Sequence, residues 1–360
     1  MLRQRLATQR LDAAPLSTAA EVVRLLTCVQ SQERDHAFFS LGMRTSADTY
    51  AAVQAEHDDG EVLRTHILRP TWHFVARNDI RWILAATSAR VEAGMLGTHR
   101  RVGIADSRLQ GRFLDALANL LRDRNHLSRI EIGQALAGRG RLPAAGEPLG
   151  HLLMIAEIRG VICSGPMRGV HHSYALMDEA VPLVSALSYE EGVARLTQRF
   201  FAGHGPASVR DLCRWASLKV ADATAAVEAL AGSIASTDVE GARLYFDPAV
   251  TARRTRPHTA YLLPAYDEAI LTYPQLNFPS LPDHPYAGEA DQFWAHVIAD
   301  GTNVGLWKRK VAGPTVRVEA RLAPSLGAEP RARVFEAAQR LARFVGKNLE
   351  YVEDEGAPKA

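Results

Sequence analysis

Apolar residues recur at helical spacing and then at strand spacing, and this order repeats along the chain. From Ser17 to Leu26 the positions Val22, Val23, Leu25 and Leu26 predict a helix with Ser17 as N-cap. A second helix is predicted over 34–43, with Ala37, Phe38 and Leu41 inward, and a third from Ser46 to about His57, stopped by Asp58-Asp-Gly60. Val62 to Leu68 and Thr71 to Val75 then read as two strands joined by a tight turn at Arg69-Pro70. Three short helices followed by a hairpin is the order of a winged helix.

That order returns twice. Helical patterns run over 107–121, 128–136 and about 147–158, with Ser128-Arg-Ile-Glu131 matching a capping box. Strands over 161–164 and 173–177 then flank a tip, Gly165-Pro-Met-Arg-Gly-Val-His-His172, that carries Arg168, His171 and His172. The third unit has helices over 189–201, 208–216 and 220–230, then strands over 234–238 and 243–246. Beyond Ala249 come a basic run, Arg253-Arg-Thr-Arg256, a proline-rich stretch, three strands over 295–299, 303–310 and 314–320, and a helix over 331–344. The tail from Glu350 is polar and expected to fray. The fold class expected is α+β and mainly helical. Three tandem winged helices, 1–95, 96–186 and 187–250, precede a β-rich α/β domain over 251–360.

Composition narrows the function little. The 360 residues are 47% hydrophobic and 23% charged, as in an ordinary globular protein, and the net charge of +2 does not by itself indicate nucleic acid. Lysine occurs only at Lys219, Lys308, Lys310, Lys347 and Lys359; every other cation is arginine, which suits bidentate contact with phosphate and guanine. Genomic GC content produces the same bias. Cys28, Cys163 and Cys213 have no metal-ligand spacing and suggest no disulfide framework. Without an apolar N-terminal core or a run of membrane-spanning length, a cytoplasmic protein is expected, with no membrane partner.

Chemistry concentrates in two stretches. Gln30 and Gln32 lie between two predicted helices, spaced so that both amides can share one face of a strand or turn. Each amide both donates and accepts, which suits holding a water or reading a base edge; capping a helix end is the plainer role. In Arg69-Pro-Thr-Trp-His-Phe-Val75, strand alternation puts Thr71 and His73 on one side and Trp72 and Phe74 on the other. His73 could then floor the glutamine pair, or simply bond to backbone within the core. Loop cations at Arg64 and Arg69, at Arg168 with His171 and His172, and at Lys308-Arg309-Lys310 suit phosphate contacts. No Walker loop, dinucleotide fingerprint, zinc motif or Gly-x-Ser-x-Gly elbow is present. Neither metal nor cofactor is expected. Asp267-Glu268 could be acid-base machinery or a structural link between the C-terminal domain and the third unit.

An ordered series of motifs completes the reading: Met1-Leu-Arg-Gln-Arg-Leu, Gln30-Ser-Gln32, Arg69-Pro-Thr-Trp-His73, Gly203-His-Gly-Pro206 with Asp211 and Trp215, Leu262-Leu-Pro-Ala-Tyr-Asp-Glu268, and Gly305-Leu-Trp-Lys308. Across nearly the whole chain it resembles the AlkZ-like bacterial winged-helix DNA glycosylases. The resemblance implies a C-shaped DNA-binding channel and excision of bulky N7-alkylated guanines. It also implies, for some members, unhooking of interstrand crosslinks made by genotoxic natural products, in repair or self-resistance. The family's glutamine, hydrophobic residue, glutamine signature falls on Gln30 and Gln32, with Ser31 departing at the middle position. A sister branch resembling YcaQ carries aspartate where Gln32 stands. The implied partner is double-stranded DNA carrying alkylated guanine, bound by a monomer associated with the nucleoid. A regulator or lesion-binding shield without catalysis, or a winged-helix scaffold for protein partners, would need no glutamine pair.

Overall fold

The structure, a computed structural model, describes residues 1–138, 142–185, 187–250, 259–273, 278–285 and 294–353. The basic run over 253–256 lies outside these residues, as does part of the proline-rich stretch. The fold is mixed helix and strand, α+β.

Helix ends follow local capping chemistry. Thr18, one residue past the expected Ser17, caps Ala19–Leu26: its hydroxyl accepts from the Glu21 amide and Glu21 reaches back to the Thr18 amide. Ser128, Ser188 and Ser208 form the same reciprocal pattern at Arg129–Leu136, Tyr189–His204 and Val209–Ala216. The third helix starts later than expected, at Tyr50, because Thr49 rather than Ser46 supplies the cap.

The first hairpin has a third strand. Trp72–Ala76 is central, with Val62–His66 on one side and the short Cys28–Gln30 on the other. The connection expected to be a bare helix junction is thus partly β-structure. The second hairpin is likewise flanked by Leu127–Ser128, whereas Ala235–Val239 and Ala242–Phe246 form a two-stranded sheet that Ala207 joins through a single bridge to Tyr245. A helix absent from the expectation, Ile80–Arg101, follows the first hairpin and packs on Tyr189–His204 and Gly146–Ile158.

The C-terminal sheet has five strands in the order Asn348–Glu353, Thr315–Leu322, Thr302–Ala312, Ala295–Ala299, Ala260–Leu262, all antiparallel except the first pair. The tail expected to fray is therefore ordered through Glu353. The helix Ala328–Val345 supplies the crossover that a parallel pair requires. Along Thr315–Leu322 burial alternates, with Val316, Val318, Ala320 and Leu322 inward.

The hydrophobic clusters do not follow the order of the chain. The largest joins the first helices to the C-terminal sheet, with Phe39 5.3 Å from Phe344 and edge-on to Trp307. Burial of Phe39 and Phe344 contributes roughly 1.5–3 kcal/mol each. Gly42 belongs to this contact, since a Cβ there would lie 2.4 Å from the Phe344 ring. A second cluster gathers Ile80, Ile83, Phe200, Phe201 and Trp215, and a third fills the segment from Ile104 to Tyr174. The stretch carrying Gln30 and Gln32 lies where the first two clusters meet: Val29 belongs to one and Cys28 to the other.

Candidate active site

Gln30 ends the strand Cys28–Gln30, directly opposite His73 in the ladder. Cross-strand partners share a face, so the strand pairing itself brings the glutamine to the histidine. Ser31 extends the contact, its amide donating to the Trp72 carbonyl at 2.7 Å. Gln32 is exposed beyond the end of the strand, and its Oε1 accepts from the Trp72 amide at 3.3 Å. Both glutamine side chains thus turn toward 69–73.

Arg69 organises the pair. Its Nη2 donates to Gln30 Oε1 at 2.6 Å and lies 3.1 Å from His73 Nε2, while Nη1 donates to the Trp215 carbonyl at 2.5 Å. Guanidinium nitrogens only donate, so the Gln30 oxygen must face Arg69 and its NH2 group is turned the other way. His73 Nδ1 donates to the Thr71 carbonyl at 2.8 Å, which leaves Nε2 to accept from Arg69 and fixes one neutral tautomer. Complete burial and then the Arg69 charge push the His73 pKa well below the usual imidazole value. It is a floor to the site, not a proton donor near neutral pH.

Below the glutamines lies a buried carboxylate layer. Glu268 Oε1 accepts from the Gln30 backbone N–H at 2.8 Å, while Oε2 accepts from Trp215 Nε1 at 2.9 Å and Thr272 Oγ1 at 3.1 Å. Burial raises its pKa, opposed first by Arg69. Asp267 forms a bidentate pair with Arg44, at 2.8 and 3.0 Å, and accepts from Ser40 Oγ at 2.7 Å. The acidic dipeptide thus ties its segment both to the first helices and to Trp215, and its oxygens are spent on these bonds. His204 of the glycine-proline motif faces the Leu26 carbonyl through Nε2 at 2.9 Å, beneath the same strand.

The other expected contact residues are dispersed. Arg64 is buried: its Nε and Nη2 donate to the Ser31 carbonyl at 3.1 and 2.8 Å, and its guanidinium sits 4.3 Å from the Trp72 ring centroid. Trp72 is partly buried, with its ring against His66 and His172. His172, expected at a basic tip, is half-buried with its ring against Trp72 and Tyr174, and burial then Arg64 push its pKa well down, so it does not present a cation. Arg168 pairs with Glu131 at 3.0 Å and His171 is exposed beside it. Lys308 pairs with Glu319 at 2.9 Å over Trp294, Arg309 is half-buried near Asp35 and Tyr50, and Lys310 is exposed. Strand alternation separates Arg309 from the two lysines. The site role of Arg64 left no local sequence signal, because its partners lie about thirty positions upstream.

The family described as "DNA glycosylase AlkZ-like" matches residues 23–344. A curated relative from Streptomyces sahachiroi, named "Interstrand DNA cross-link repair glycosylase", is 24% identical over 319 residues, covering 84% of this chain and 85% of its own. The solved structure of Streptomyces sahachiroi DNA glycosylase AlkZ superposes with a TM-score of 0.76 at 20% identity, covering 98% of each chain. At that identity the structural match establishes a shared fold.

Proposed function

The chain belongs to the AlkZ-like family of DNA glycosylases, and from that premise we propose that it is a monofunctional glycosylase hydrolysing the N-glycosidic bond of cationic N7-alkylguanine in duplex DNA. The observation that carries this reading is the chemistry of the groups around Gln30 and Gln32: two amides, a neutral histidine and a spent carboxylate.

An uncharged base leaves an ordinary nucleoside only with help, from an acid that protonates it or from donors that stabilise it as an anion. His73 is held neutral, and the Glu268 oxygens accept three hydrogen bonds below the site, so neither is placed to protonate a base. A guanine alkylated at N7 already carries a positive charge and departs without a proton. What is left for the protein is to place water and to stabilise an oxocarbenium-like sugar by orientation and fixed dipoles. Gln30, polarised by Arg69 and braced from beneath by Glu268, offers its NH2 donors and the second lone pair of Oε1. Gln32, exposed and tethered to the Trp72 amide, offers the same groups from the rim. The nucleophile proposed is water rather than an amine, since among the described residues the groups around the glutamines are amides, an imidazole, a guanidinium and a carboxylate.

The helix-and-hairpin units would engage the duplex as winged helices around a C-shaped channel, with Arg168, His171, Lys308 and Lys310 as phosphate contacts. The Streptomyces sahachiroi relative is named for repair of interstrand DNA cross-links, and a crosslink through guanine N7 would present the same cationic leaving group. Duplexes carrying N7-methylguanine, uracil or hypoxanthine test the reading. Release of the first alone is expected; efficient release of either uncharged base refutes selectivity for a cationic leaving group.

A further inference from the structure

We propose that Arg64 is a positioning residue for the Gln30-Ser-Gln32 turn, holding Gln32 in register through the backbone of Ser31. The assignment rests on the glycosylase reading above for its catalytic consequence, but its geometry is independent of it. Arg64 lies on the strand Val62–His66 and is only 9% exposed. Nε and Nη2 both donate to the Ser31 carbonyl, and Nη2 reaches the Gln32 carbonyl at 3.4 Å. From the other side, the Ser31 amide is fixed on the Trp72 carbonyl, and the Trp72 amide on Gln32 Oε1. The Trp72 ring packs under the same guanidinium. Arg64 therefore clamps the turn and stacks on the residue that tethers the exposed glutamine.

Two further contacts make the clamp rigid. The Arg64 backbone amide donates to Ser164 Oγ at 2.8 Å, which ties the strand to the second hairpin. Behind it, Glu157 pairs with His66 at 2.5 Å, leaving a buried acidic group near the guanidinium. The Ser31 side chain, by contrast, has no hydrogen-bond partner for its buried Oγ among the described residues. The turn is held by main-chain atoms at position 31, so a hydrophobic side chain there serves as well as serine. A lysine at position 64 would keep the charge but lose the planar fork that bridges two carbonyls and stacks on indole.

A double-mutant cycle on base release tests the clamp. Single-turnover release of N7-methylguanine from a duplex is measured for wild type, Arg64→Met, Arg64→Lys, Gln32→Ala and each double variant. Misplacement of a catalytic group by about 1 Å can cost on the order of 10²-fold. Arg64→Met is expected to slow release by about that factor with duplex affinity retained, and Arg64→Lys by about tenfold. In the Gln32→Ala background either change is expected to add less than about threefold, because coupled sites are non-additive. Equal slowing in both backgrounds, or an unaltered rate in Arg64→Lys, overturns the assignment. Hydrogen exchange of the 28–32 segment gives a test that needs no activity and separates the two readings. Faster exchange in Arg64→Lys supports the clamp even if the wild type releases no base, which would refute only the glycosylase reading; wild-type exchange refutes the clamp.

Discussion

Replacing Arg69 with methionine distinguishes an organiser of the site from a DNA phosphate contact, the role its hairpin position suggests. The guanidinium donates to Gln30 Oε1 at 2.6 Å, and a hydrogen bond from a charged donor contributes roughly 1.5–3 kcal/mol. Without it the Gln30 amide is free to turn, and losing that orientation at the transition state slows release by about 10- to 10²-fold at 1.36 kcal/mol per tenfold. The fold also weakens. Glu268 stays buried after the Arg69 charge that opposes the effect of its burial is gone, although it keeps donors from Gln30, Trp215 and Thr272. Release is measured under single-turnover conditions well below the melting transition, alongside duplex affinity over a range of salt. The expected outcome is a slower chemical step with unchanged affinity and salt slope. A normal rate at saturation with a salt slope reduced by about 0.9, the signature of one lost phosphate contact, would refute the organising role.

Other perturbations follow from the buried polar groups. Burial lowers the pKa of His204 and of His36 to about 4, so each stays neutral in the fold while its unfolded counterpart titrates near 6.5. The unfolded chain then binds more protons, and stability present above about pH 6.5 is lost as pH falls toward 4, by roughly 3 kcal/mol for the fully buried His204; a melting temperature flat across that window would contradict it. Asp267→Asn weakens the bidentate pair with the completely buried Arg44 and should destabilise by roughly 3–5 kcal/mol, read by denaturant unfolding; a loss under about 1 kcal/mol would contradict the bracing role. Ser31→Val removes a buried hydroxyl that has no partner among the described residues and should be neutral or stabilising by about 1 kcal/mol, with base release retained; loss of release with a folded protein would show that the hydroxyl acts in the chemistry.

Much of the fold was legible because its signals are local. Serine caps with an acidic residue three positions on mark the helix starts at Arg129, Tyr189 and Val209, and alternation marks the strand Thr315–Leu322. The helix Ile80–Arg101 escaped because Ile80, Trp82, Ile83 and Leu84 are all buried, which hides any amphipathic stripe at its start. Cys28–Gln30 is too short to show a period and exists only through pairing with Trp72–Ala76. Asn348–Glu353 looks like a polar tail because it lies at the edge of its sheet, on a parallel neighbour far back in sequence. The glutamine pair was visible from its residue types and from family resemblance, and strand alternation put His73 on the face away from Trp72; that His73 stands opposite Gln30 appears only with the pairing of the two strands. Arg64 and Arg69 looked like cations for phosphate, since only the folded chain shows that their fixed partners are the Ser31 carbonyl and the Gln30 side chain.

The most direct test of the glutamine chemistry is base release from a duplex carrying one N7-methylguanine, compared for the wild type, Gln30→Ala and Gln32→Ala, with duplex binding followed in parallel. Release by the wild type is expected, with a loss of about 10²–10³-fold in each variant while binding persists. Undiminished release in the variants, or none from a wild type that still binds duplex in a salt-dependent way, would contradict it.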